Sequence, residues 1–227
     1  MSYYKALSAD GRSCNGGHSK WSLPILQPDG TYQPGRWMRR IENIVPCKRG
    51  YHVFERKDIL HWANATLYEA EVRGETIDHG DKIVAESARL IRPVSGCNER
   101  TLRLFACRVA EDVLPLFEAQ YPDDYRPRKA IETARRHADG KATDSELASA
   151  WTAAWAAADA AWTAARAVAA AADAAAAPSA AAANAARAVA AAADAAAADA
   201  ADAADAAAAA AAEKYTDRLW EMIEGER

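Results

Sequence analysis

Two short loops carry the residues best able to do chemistry. Cys14 and His18 sit in SCNGGH, and Cys47 and His52 sit in PCKRGYH. Two thiolates and two imidazoles, Cys14, His18, Cys47 and His52, would complete a tetrahedral zinc shell. The spacings are loose and neither loop holds a CxxC pair, so a packed cysteine with a hydrogen-bonding histidine in each loop explains the same letters. His18, Tyr51 and His52 also outline a small-ligand pocket. His52 and His61, with Glu55, Glu69 or Glu71, are the residue types that acid–base chemistry uses, although nothing in their spacing requires it. A third group is aromatic. Trp151, Trp155 and Trp162 stand at i, i+4 and i+11 and project from one side of a helix. They either fasten that helix to its neighbours or form a docking face for a partner protein.

Other chemistry is excluded by what the chain lacks. It has no phosphate-cradling glycine loop, no GxSxG and no HExxH. No catalytic residue is assigned, and zinc is the one cofactor with any sequence support.

The elements that must position these residues follow from periodicity and turn signals. Residues 3–7 read as a first strand, and residues 8–36 as loop, with a hairpin at Asp29-Gly30. A strand over 51–54 leads into a short helix over 56–62. A strand over 67–72 ends at Gly74, and a long one spans 82–94. Asn98 caps a helix running to Gln120. Its inward stripe is Leu102, Phe105, Ala106, Val109, Val113 and Leu116, and Pro115 should kink its last turn. Pro127 opens the next helix, which ends at Gly140. Thr143 to Glu146 matches a capping box that starts a long helix reaching 177. Pro178 breaks that helix. The repeat ARAVAAAADAAAA, at 165–177 and again at 186–198, suggests a helical hairpin folded at the proline. The expected fold is therefore α+β: a small mixed α/β domain over 1–96, then an all-α, alanine-rich region over 97–227 forming a long helical hairpin or bundle.

Composition agrees with that division. Of the 49 residues from Ala164 to Ala212, only 12 are not alanine, so this stretch adds helix but little buried area. With 5 basic and 13 acidic residues, 143–227 carry −8. The remaining 23 basic and 19 acidic residues leave 1–142 at +4. A +4 is too mild for a dedicated nucleic-acid binder. The acidic tail suits a basic protein partner. The alanine run is interrupted by Asp, Arg and Pro, which excludes a membrane span. Four cysteines without an apolar leader suggest reduced thiols and a cytoplasmic protein.

Two stretches carry family resemblances. YKALSADGRSC, KWSLP, VPCKRGYH, LYEAEVRGE and DKIVAESARLIR, in that order, resemble an uncharacterised domain of actinobacterial and phage proteins, which implies no activity. Residues 99–150, around RLFACRVAEDVLPLFEAQYPDDYRPRKAIETARRHADGKAT, are similar to a family of immunity proteins of bacterial toxin systems that leads into an alanine-rich array. That resemblance implies a non-enzymatic module that masks a partner protein. Two other readings stay open. The N-terminal domain can be a small-ligand binder or an enzyme resembling ADP-ribosyltransferases, and the alanine-rich helices can be a spacer or an oligomerisation element.

Overall fold

The computed structural model describes residues 2–14, 17, 19–64, 66–160 and 201–225. The chain divides into two compact units, Met1–Cys97 and Asn98–Arg227.

The first unit is built from strands β1 (Tyr3–Ala6), β2 (Ile25–Leu26), β3 (Tyr32–Gln33), β4 (Tyr51–Glu55), β5 (Leu67–Asp78) and β6 (Ile83–Pro93), with a 3-10 turn at Arg56–Asp58 and helix α1 (Ile59–Trp62). Four of the strands close into an antiparallel barrel in the order β1-β4-β6-β5. β1 pairs with β4 on one side and β5 on the other, so the sheet has no free edge. β2 and β3 form a separate hairpin.

Closure rests on the long β5–β6 pair. Its register shifts between Glu69 and Ala70 and again between Arg73 and Thr76. Bulges of this kind bend and coil a sheet. Gly74 lies in the second bulge at φ +83°, where a Cβ would stand 2.1 Å from Glu86 Oε2. The expectation that Gly74 ends the strand is therefore corrected: the glycine bends β5, which runs on to Asp78. The buried Glu86 accepts hydrogen bonds from the Glu75 N–H at 3.2 Å and from Arg40 Nε at 2.9 Å. The barrel core is Leu7, Trp21, Tyr51, Val53, Ala70, Ile83, Ala88 and Leu90.

The second unit contains α2 (Glu99–Gln120), α3 (Arg126–Ala138), α4 (Asp144–Ala160) and α5 (Ala201–Gly225). The start signals act as their chemistry requires. Asn98 Oδ1 accepts from the Thr101 N–H at 2.9 Å. Thr143 Oγ1 accepts from the Glu146 N–H at 3.2 Å, and Glu146 Oε2 accepts from the Thr143 N–H at 2.7 Å. α2 contains Pro115 and still continues to Gln120. It buries Phe117 and leaves Leu116 exposed, so the stripe closes one residue later than its spacing suggests.

The α+β expectation, a mixed α/β domain followed by a long alanine hairpin or bundle, is corrected. The N-terminal sheet has four strands and closes on itself, with only a turn of 3-10 and one of α-helix beside it. In the alanine-rich region the described structure is α4 and α5, and Pro178 with both copies of the repeat lies outside the described residues. Among the described side chains of α5, the buried ones are Tyr215, Thr216, Leu219, Trp220 and Ile223. Burial follows large apolar side chains, because alanine removes too little surface from water to organise a core. Among the described residues no helix is long and apolar enough to cross a membrane.

Candidate functional site

β1 alternates inward and outward with period two. Tyr3 and Leu7 pack into the barrel core, and Lys5 stands between them on the same face. A lysine at a core-facing position must reach water or find a partner. Lys5 reaches a cleft of about 510 Å³ at the end of the barrel, a volume suited to a small ligand.

Both loops singled out in the sequence contribute to this cleft, through Ser13, Gly17 and Ser19 of the first and through Cys47, Lys48 and Arg49 of the second. The second loop is a tight turn. Cys47 takes φ +62° and Gly50 takes φ +128°. A Cβ on Gly50 would stand 2.5 Å from Val84 Cγ1, so the chain can enter β4 here only as glycine. His52 Nε2 accepts the Cys47 N–H at 3.0 Å, which satisfies the turn's backbone. Burial depresses the His52 pKa, and the charges of Lys5, Lys82 and His79 depress it further, so the ring is neutral at pH 7. The cysteine–histidine spacing in this loop thus has a turn-closing use.

The cleft walls are aromatic and cationic. Trp21 is buried, donates from Nε1 to Ser13 Oγ at 3.2 Å and meets Tyr51 edge-on at 5.7 Å. Tyr51 Oη donates to the Arg39 carbonyl at 2.8 Å. Lys5 Nζ lies 5.5 Å from the centre of the Trp21 ring, a cation–π distance. Opposite, Trp62 Nε1 donates to the Asp81 carbonyl at 2.7 Å, and Lys82 Nζ lies 4.9 Å above the Trp62 ring. Lys5, Lys48, Arg49, His52 and Lys82 all line the cleft, and no carboxylate does among the described residues. Asp81, which does not line the cleft, lies 3.2 Å from Lys82 Nζ. Burial pushes the Lys5 ammonium down to about 8, an effect partly offset by the neighbouring Cys14. The arrangement is short of negative charge, and an anion would supply it.

The other expected site residues fall elsewhere. His18 lies outside the described residues. Cys14 Sγ is 3.7 Å from the Ala6 carbonyl and 3.7 Å from Asn64 Nδ2. Among the described residues no group of three or more His, Cys, Asp or Glu is placed to hold a metal ion. Glu55, Glu69 and Glu71 are paired with Lys57, Arg92 and Arg89, and none of them lines the cleft, nor does His61. In the second unit, Trp151 packs with Ala150 against Ala130 and Ala154, so it joins α4 to α3. Trp162 lies outside the described residues, as does the side chain of Trp155.

Sequence reasoning missed Lys5, Lys82, Trp21 and Trp62. Lys5 was open to detection, because a lysine flanked two residues away on each side by Tyr3 and Leu7 shares their strand face. Lys82 and Trp62 meet only through tertiary structure.

Compared with known proteins, the chain matches no family model, no curated protein and no solved structure.

Proposed function

We propose that the barrel unit is a binding module for a small anionic ligand, such as a phosphate ester or carboxylate with an apolar or aromatic portion. The observation that carries this reading is the cleft that gathers the cations Lys5, Lys48, Arg49 and Lys82 without a lining carboxylate. Asp81 meets Lys82 alone, and cations gathered with so little counter-charge are costly unless a ligand supplies more. Trp21, Phe54 and Ile41 give the same cleft apolar wall for the rest of the molecule. The four free cysteines suit a reducing compartment, and we place the protein in the cytoplasm.

Thermal unfolding of the full chain with pyrophosphate and with phenyl phosphate tests this. A site filled at 100 times its Kd adds about 2.7 kcal/mol. The melting temperature should therefore rise by several degrees, and Lys82→Met should abolish most of the rise. No shift with either anion, or an equal shift in the variant, would contradict the proposal.

A second reading concerns the helical unit, as a module that masks a partner protein in the manner of the immunity family it resembles. Leu116, Tyr121 and Tyr125 favour it, being large apolar side chains exposed at the end of α2 and the turn into α3. Aromatic side chains of this kind anchor interfaces. A basic partner retained by the full chain from native lysate, and lost on Tyr125→Ala, would support it. Equal retention by the variant would remove this surface from consideration.

A further inference from the structure

The anion-binding reading leaves Lys5 with more to do than supply charge. The lysine stands half-buried on the face of β1 that carries Tyr3 and Leu7, and it lines the cleft. The ring of Trp21 lies below it, and the cations Lys82, Lys48 and Arg49 line the same cleft. No carboxylate among the described residues pairs with it. A lysine that is desolvated, set in a cleft lined by other cations and free of an acid partner has the environment that makes an amine a nucleophile at neutral pH.

We propose that Lys5 captures its ligand covalently as an imine, so that the cleft takes an anionic aldehyde or keto acid. The inference rests on the anion-binding reading and narrows its ligand class. The neutral Nζ attacks the carbonyl carbon and forms a C–N bond. The carbinolamine then loses its oxygen, which leaves as water with the two protons originally on nitrogen, and a C=N bond remains. Nothing is oxidised or reduced. Lys82, Lys48 and Arg49 hold the anionic group, which sets the carbonyl against Nζ. The depression of the Lys5 ammonium to about 8 supports the same role, since about a tenth of the amine is then neutral at pH 7. An ordinary lysine would be neutral about a few times in ten thousand.

The test uses glyoxylate, a small anionic aldehyde, with sodium borohydride to reduce any imine to a stable carboxymethyl amine. Peptide mass mapping then compares the chain's 8 lysines. Lys5 should be modified at least tenfold faster than the others, with a rate that rises through about pH 8, and pyrophosphate should slow it. Lys5→Arg should remove that product, and Lys57→Arg should leave it unchanged. The mapping on the unsubstituted chain stands even where a variant fails to fold. Pyrophosphate binding measured on the same samples separates the two claims. Binding with no preference for Lys5 overturns the imine alone. Modification of Lys5 that pyrophosphate does not slow overturns it too. Absence of both binding and labelling overturns the imine together with the anion site beneath it.

Discussion

The helical unit and the cleft of the barrel unit use charge in different ways. On the helices, cations are matched to acids. Arg128 meets Glu118 at 2.7 Å, Arg135 meets Glu111 at 2.5 Å, and Asp112 Oδ2 accepts from Lys214 at 2.7 Å, Arg218 at 2.8 Å and Tyr215 at 3.0 Å. In the barrel cleft, cations gather with no lining carboxylate among the described residues. Matched charges orient and fasten helices and need nothing further. At the cleft, Asp81, beside Lys82, is the one acid paired with a lining cation among the described residues. The contrast is the ground for proposing binding in the barrel and assembly in the helices, although the sequence's most unusual feature, its alanine run, lies in the second.

The largest expected effect tests the assembly half. Trp220 is 1% exposed on α5, and Trp220→Ala should destabilise the helical unit by about 3–5 kcal/mol. Denaturant unfolding followed by far-UV circular dichroism measures it, and an unchanged midpoint would remove α5 from the core. Next comes Gly50→Ala, which adds a Cβ 2.5 Å from Val84 at a φ of +128°. It should cost the barrel about 1–3 kcal/mol and weaken pyrophosphate binding, read by calorimetry. Full stability with full binding would mean the turn does not shape the cleft.

Asp112 sharpens the comparison through pH. Burial raises its pKa, but the hydrogen bonds from Lys214, Arg218 and Tyr215 outweigh that and hold it below the usual carboxylate range. A depressed carboxyl contributes stability that is present above its unfolded pKa of about 3.9 and is lost as pH falls through the lower folded value. Asp112→Asn should cost about 1–2 kcal/mol at pH 7 and flatten the acid limb of the stability curve. A variant curve parallel to that of the parent would show that the triple contact is idle. The smallest effect has the opposite sign. The Lys5 ammonium is disfavoured by folding, so its penalty is complete below about pH 8 and is relieved as pH rises from there toward the unfolded value of 10.5. Lys5→Met should therefore make the barrel slightly more stable at pH 7, with the gain fading above pH 8, while pyrophosphate binding falls. Cys14 and His52 are the titratable groups coupled to it. Lower stability at pH 7 would mean that Lys5 is paired and structural.

Local signals in the sequence were readable where one residue decides the outcome. Asn98, Pro127 and the Thr143–Glu146 pair each act within four residues of themselves, and each begins a helix as its chemistry requires. Gly74 was misread because a positive-φ glycine ends a strand or bends it equally well, and only the partner strand with Glu86 decides between them. Barrel closure was hidden for the same reason, since it depends on β1 finding β4 and β5 more than 40 residues away. In the cleft, Tyr51 and His52 stood out by residue type, whereas Lys5 was visible only through its period-two place beside Tyr3 and Leu7. The use of His52 as a cap on the Cys47 turn could not be inferred from spacing, because metal binding and turn closure ask for the same pair of residues.

The central claim is that the barrel cleft is an anion site, and amide NMR of the full chain titrated with pyrophosphate tests it most directly. The account predicts saturable shifts at Lys5, Ala6, residues 47–52 and Lys82, with the amides of α3 and α5 unmoved. Saturable shifts confined to the helical unit, or none anywhere at millimolar pyrophosphate, would contradict it.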